Sequence, residues 1–177
     1  HHSAGGPIAT NWDFPPDPIL EPLTEVMSVH GSSEAMDSPS LIYSPLTGNF
    51  VRDALDKGYE LGFIASGDGH DGHPGLPHLS PFYGYRKETS AGPARVGTGG
   101  LAAVYCEELT RPALLRELRA RSTYATSGPR LLLSASLEGR PMGSHVKPKS
   151  GEAALKIEIH GQAPIEELEL IRSGAVI

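Results

Sequence analysis

Residues 66–74, Ser-Gly-Asp-Gly-His-Asp-Gly-His-Pro, place two carboxylates (Asp68, Asp71) and two imidazoles (His70, His73) within six positions. Carboxylate oxygen and imidazole nitrogen are common ligands of divalent metals. The stretch directly follows the apolar run of residues 61–65. An Asp-x-His pair at a strand end aims both side chains the same way, because residues two apart in extended backbone share a face. Asp68 and His70 have that spacing. The glycines between them let the backbone turn tightly and approach an ion or substrate. A polar, glycine-rich surface loop is the plainer alternative, but such loops seldom concentrate two imidazoles with two carboxylates.

Another histidine has a matching address. Residues 23–29 read as a buried strand, and His30 opens the turn His-Gly-Ser-Ser-Glu that follows it. His1 and His2 precede Ser-Ala-Gly-Gly in a comparable loop. A turn-capping role also fits His30, and the tail of a purification tag also fits His1-His2. His145 and His160 fall in a β-rich tail, where a surface histidine is the default.

The elements needed to hold these residues can be read along the chain. Residues 1–20 read as loop. Asn49 is placed to cap a helix over residues 50–57, with Gly58 as its stop. Residues 61–65 form the next strand, and residues 71–99 a long loop of the length usual for a functional segment or lid. Residues 101–106 read as a strand. Thr110 caps a helix reaching Ala120, with Pro112 in its first turn and Leu114, Leu115 and Leu118 as an apolar stripe. Glu117 and Arg121 are spaced to pair on that helix. Strand and helix thus alternate as in a parallel α/β sheet or barrel. In that architecture the strand ends holding His30, Asp68 and His70 converge on one face.

The pattern changes after Gly128-Pro129. Residues 131–137, 153–159 and 167–171 read as strands joined by turns, with 175–177 as a further short one. Leu155, Ile157 and Ile159 alternate with charged residues, as in a strand with one wet face. The expected organisation is therefore an α/β unit over residues 1–128 and part of a small antiparallel β-sandwich over 129–177.

Bulk composition narrows the function classes. The chain has 177 residues, 38% hydrophobic, with 21 glycines and 16 prolines, enough for one core and many loops. A net charge of −6 argues against a nucleic-acid partner. Cys106 is the single cysteine, which leaves no intrachain disulfide and no cysteine zinc site; it reads as a small buried hydrophobe. No apolar run approaches the length of a membrane span. The chain begins at His1 without methionine, so its start is expected to lie mid-protein. Neither a cytoplasmic nor a periplasmic or secreted location is indicated.

Several motifs in fixed order carry a resemblance. These are His1-His2-Ser-Ala-Gly-Gly, Glu25-Val-Met-Ser-Val-His30-Gly-Ser-Ser-Glu34, Gly62 through Gly75, Gly100-Leu-Ala-Ala-Val-Tyr with Glu107-Glu-Leu-Thr110, and Arg121-Ser-Thr-Tyr-Ala-Thr-Ser-Gly128. Together, over residues 1–145, they resemble the C-terminal part of a PHP (polymerase and histidinol phosphatase) metallohydrolase. The likeness is to the large bacterial branch described as a domain of unknown function and related to carbaryl-hydrolase-like PHP proteins.

That resemblance implies the C-terminal portion of a distorted (β/α)7 TIM-like barrel, followed by the β-sandwich-like segment. It implies two or three zinc, manganese or iron ions in the complete site. His1 or His2, His30, Asp68 and His70 would be metal ligands, with Asp68 and His70 also catalytic. His73, Arg121 and Arg130 are candidates for holding an anionic substrate, although a solvated surface charge is the default for each arginine. The remaining ligands would come from an upstream barrel segment absent from this chain. The expected activity is hydrolysis of a small-molecule ester, a phosphoester first, and a carboxylic or carbamic ester or amide as the close variant. The expected alternative is a catalytically silent scaffold that binds carbohydrate or protein.

Overall fold

The computed structural model describes residues 3–69, 99–148 and 151–177. Strand β1 (Leu23–Ser28) is the centre of a three-stranded sheet. It pairs antiparallel with the short β2 (Gly31–Ser32) and parallel with β3 (Gly62–Ala65). Helix α1 (Val51–Asp56) lies between β1 and β3 in sequence. The β1–β3 register slips between Glu25 and Met27, which leaves Val26 as an extra residue on β1. Such bulges bend a strand and re-aim its side chains.

The cap of α1 differs from the expected one. Phe50, not Asn49, occupies the N-cap position. The Asp53 carboxylate accepts from the Phe50 N–H at 2.9 Å. The Val51 and Arg52 N–H groups donate to the carbonyls of Ser33 and Glu34, at 3.0 and 2.9 Å. Tertiary carbonyls thus satisfy amide groups that a polar cap side chain would otherwise serve. The Asn49 carbonyl is free for another task, accepting from Trp12 Nε1 at 2.9 Å.

Two small cores support this unit. Trp12, Ala54 and Leu61 form one, with Tyr59 against it; Ala4, Ile42 and Phe50 form the other, with Leu41 and Tyr43 against it. The Tyr59 hydroxyl donates to the Trp12 carbonyl at 3.0 Å. The glycine- and proline-rich start of the chain is irregular, as read, yet it supplies a buried tryptophan to the core.

β4 (Leu101–Val104) and β5 (Thr123–Thr126) then pair antiparallel, with helix α2 (Arg111–Arg119) between them in sequence. Thr110 caps α2 as expected, its side chain accepting from the Ala113 N–H at 3.3 Å, with Pro112 in the first turn. The apolar stripe is only partly used: Leu114 and Leu118 are half-buried and Leu115 is exposed, while the buried residue of the helix is Ala113. Arg121 follows at φ 59°, a left-handed position that turns the chain back. The Tyr105 N–H meets the Ser122 carbonyl at 3.0 Å, so both ends of the helical excursion lie at the Val104 end of β4. That return reverses β5 against its predecessor.

β6 (Leu132–Leu137) pairs antiparallel with β7 (Arg140–Pro141) and with β8 (Leu155–His160). β9 (Ile171–Arg172) and β10 (Ala175–Val176) make a separate hairpin. The two tight loops, Glu138-Gly139 and Ser173-Gly174, both take positive φ, as two-residue hairpins require. Residues 167–170, expected in a strand, stay outside one.

The expectation of a (β/α)7 TIM-like barrel portion is therefore wrong. The described residues hold two helices, of six and nine residues, and mostly small antiparallel sheets. β1 and β3 are the one parallel pair among them. The alternation of strand and helix suggested continued parallel winding, but the reversal at Arg121 brings β5 back antiparallel to β4.

The ends of β1, β3, β4 and β5 meet at Gly100. A Cβ there would press on the Ala65 side chain and lie 2.8 Å from the Thr126 carbonyl oxygen and 3.0 Å from that of Met27. Gly100→Ala is thus expected to destabilise the chain by about 1–3 kcal/mol in urea denaturation. Gly151, with nothing within 4 Å of an added Cβ, is the control. Gly151→Ala should stay within about 0.5 kcal/mol of the parent. Equal midpoints for the two variants would contradict the packing at Gly100.

Candidate functional site

His30 and Asp68 come from different turns, one just after β1 and the other just after β3. Parallel pairing of those strands sends both turns out at the same end. There, His30 Nε2 lies 3.1 Å from Asp68 Oδ2, with the side chains 8% and 16% exposed.

The setting of His30 is built locally. Its N–H donates to the Ser28 hydroxyl at 3.1 Å, and Ser28 is itself buried. Its ring lies 5.2 Å from that of Tyr43, tilted by 54°. Tyr43 in turn packs on the core formed by Ala4, Ile42 and Phe50. Gly31 follows at φ 120°, and a Cβ there would lie 2.8 Å from both the Ser40 carbonyl oxygen and Ile42 Cα. Glycine is what lets the 40–42 segment pass so close to the backbone beside His30.

Asp68 is held at φ 44°, in the left-handed region. Aspartate tolerates this better than most residues, but it remains uncommon. Two residues earlier, Ser66 is tied on every side. Its N–H donates to the Met27 carbonyl at 3.0 Å, its carbonyl accepts from the Gly100 N–H at 2.6 Å, and its hydroxyl donates to Glu25 Oε2 at 2.5 Å. Glu25 is a buried carboxylate in the middle of β1.

The pair geometry suits a shared cation. Two donors about 2.1 Å from one ion stand roughly 3.0 Å apart at a right angle and roughly 3.4 Å apart at the tetrahedral angle. The His30–Asp68 separation falls between those limits. The same separation also fits a direct imidazole–carboxylate hydrogen bond. No group of three metal-ligating side chains gathers among the described residues. Of the other expected ligands, His1, His2 and His70 lie outside the described residues, as does His73. Ser3 to Gly6, which continue from His1-His2, run beside the His30 neighbourhood. The Ala4 N–H donates to the Ser33 hydroxyl at 3.1 Å, and Gly6 lies against the Tyr43 ring.

The two arginines fall apart. Arg121 packs over Gly62 at the start of β3, away from the turn that carries Asp68. Its guanidinium lies 3.7 Å from the Glu60 carboxylate, which also meets His145 Nε2 at 3.1 Å. Glu117 pairs instead with Arg116, at 2.9 Å. Arg130 follows β5 on the side of Thr126, whose carbonyl abuts Gly100. Glu25, Ser28, Tyr43 and Ser66 are the neighbours that sequence reading passed over. One signal was present for Glu25: a lone carboxylate in an otherwise uncharged strand.

With this geometry in hand, comparison with known proteins places the chain in a family. The model of a family described as protein of unknown function (DUF3604) matches residues 42–136, more than half of the chain, and the chain belongs to that family. An uncharacterized protein of Chlamydia pneumoniae is 31% identical over 172 residues, covering 90% of this chain and 26% of the relative. An uncharacterized protein of Chlamydia trachomatis serovar D is 27% identical over 174 residues, again 90% of this chain and 26% of the relative. A third, from Chlamydia muridarum, is 37% identical over 81 residues, 42% of this chain and 13% of the relative. The chain thus spans about a quarter of the length of the first of these relatives. No solved structure matches it.

These matches correct the resemblance to the PHP superfamily. They lead to the family of unknown function and its chlamydial relatives, with no link to PHP enzymes. Motifs in shared order suggested the PHP assignment, but short glycine- and histidine-rich turns recur on unrelated scaffolds. His30 and Asp68 therefore stand on their geometry alone.

The backbone at Asp68 can be checked directly. Asp68→Gly and Asp68→Ala both remove the carboxylate, but only glycine relaxes at φ 44°. Asp68→Gly is expected to be more stable than Asp68→Ala by about 1 kcal/mol, measured by thermal and urea denaturation. The reverse order would contradict the left-handed placement.

Proposed function

We propose that this chain carries part of the site of a divalent-metal-dependent hydrolase acting on a small-molecule ester. A phosphoester is the first choice, and a carboxylic or carbamic ester or amide the close variant. The observation that supports this reading is the meeting of His30 Nε2 and Asp68 Oδ2 at 3.1 Å, from two separate strand-end turns. Side chains that converge from the carboxyl ends of parallel strands are a common way to build a binding site.

The roles follow from the donor set. His30 would offer the Nε2 lone pair of its neutral imidazole, with Tyr43 and Ser28 holding ring and backbone in place. Asp68 would offer an anionic oxygen from the opposite turn. Zinc, manganese or iron held there would lower the pKa of a coordinated water and polarise the ester oxygen. Burial around both side chains limits competing water and strengthens their electrostatic interactions. His70 and His1 or His2 are the further ligands in this proposal, and His73 and Arg130 its groups for an anionic ester.

The second reading is a binding scaffold without catalysis, for carbohydrate or protein. In it the His30–Asp68 contact is a structural imidazole–carboxylate pair that ties the two turns together.

Equilibrium dialysis against zinc and manganese, with elemental analysis, separates the readings. The parent chain is expected to retain metal. His30→Ala and Asp68→Asn are expected to bind it at least about tenfold more weakly, the scale on which site residues tune affinity. Turnover of p-nitrophenyl phosphate or p-nitrophenyl acetate should disappear in the same variants. A parent protein that holds neither metal when the remaining part of the site is present sinks the hydrolase reading and leaves the scaffold.

A further inference from the structure

We propose that Glu25 and Ser66 are a positioning pair, which fixes the turn after β3 so that the Asp68 carboxylate reaches the His30 imidazole. The proposal rests on the metal-ligand reading of His30 and Asp68.

Glu25 is 8% exposed and sits in the middle of β1. Burying a carboxylate is costly, and an apolar residue of similar size is usually the more stabilising choice. A carboxylate kept in such a place calls for a task. Among its contacts is the Ser66 hydroxyl, at 2.5 Å. Hydrogen bonds from a hydroxyl to a carboxylate are short and strong.

The bulge puts the contact within reach. Glu25 pairs with Ile64 and Met27 with Ala65, so Val26 is extra and β1 advances relative to β3 at this point. The next residue of β3's chain is Ser66, whose N–H continues the pairing to Met27. Ser66 therefore leaves the sheet with its amide bound to β1 and its carbonyl bound to Gly100. Its hydroxyl is locked onto Glu25. Two residues later the backbone must adopt φ 44° at Asp68. Sparsely populated backbone conformations persist where the surroundings over-determine them. The three ties on Ser66 are such surroundings, and Glu25 supplies the one made by side chains.

Three variants test this: Ser66→Ala and Glu25→Leu, which remove the hydrogen bond, and Glu25→Gln, which keeps an acceptor in the same shape. Two readouts are needed beside melting temperature. The first is zinc or manganese affinity by equilibrium dialysis. Ser66→Ala and Glu25→Leu are expected to bind about tenfold more weakly, as when a supporting partner of a ligand is lost. Glu25→Gln should stay within about threefold of the parent, well inside that tenfold loss. The second is the ring 15N chemical shifts of His30 at one fixed pH without metal. Ser66→Ala and Glu25→Leu should move them toward the Asp68→Asn values, and Glu25→Gln should not. Ser66→Ala removes only a hydroxyl, so it keeps the test open if Glu25→Leu fails to fold. Lower melting temperatures with unchanged His30 shifts would overturn the proposal and mark the pair as merely structural. If the parent binds no metal, the metal-site reading fails, and the His30 shifts still decide whether Glu25 and Ser66 place Asp68.

Discussion

The parallel pairing of β1 with β3 is the constraint on which the site depends. It sends the turns bearing His30 and Asp68 out of the same end of the sheet. Antiparallel pairing would have put them at opposite ends. The helix between the two strands makes the parallel arrangement possible, and its first amides are held by carbonyls of the 33–34 segment just after β2. The site and the helix start are thus built from one stretch of chain, residues 30–34, read on its two sides.

Around that pair the structure is a set of small sheets with modest cores. Trp12 and Phe50 are the large side chains that bury most completely; Phe50 directly precedes α1, and Trp12 packs on Ala54 of that helix. This places the firmest packing at α1 and the segments that lie against it. The β6–β8 sheet and the β9–β10 hairpin are more exposed, with Leu132, Leu155 and Ile171 all open to solvent.

Much of the local structure was legible in the sequence. Residues 61–65 and 101–106 carry apolar runs bounded by turn formers, and strands lie within both. Thr110 with Pro112 marked the start of α2, because a hydroxyl cap and an early proline act locally. The arrangement of the strands was not legible. Whether β5 lies parallel or antiparallel to β4 depends on where α2 delivers the chain, and a left-handed arginine, which has no strong sequence signature, settles that point. The cap at Asn49 was misread because the groups that satisfy α1 are distant carbonyls. The His30–Asp68 contact was readable only as a shared address at strand ends. Its support from Glu25 and Ser66 depends on a one-residue bulge that no local pattern announces. Motif order carried the reading too far when it extended this shared address to a whole enzyme superfamily and its barrel.

The left-handed backbone at Asp68 has an evolutionary consequence. From an aspartate codon, single-nucleotide changes reach asparagine and glycine, the two other residues that this conformation accepts most readily. Loss of the carboxylate can therefore arise by drift without disturbing the surrounding architecture. The fold at this turn can thus outlast the carboxylate it displays.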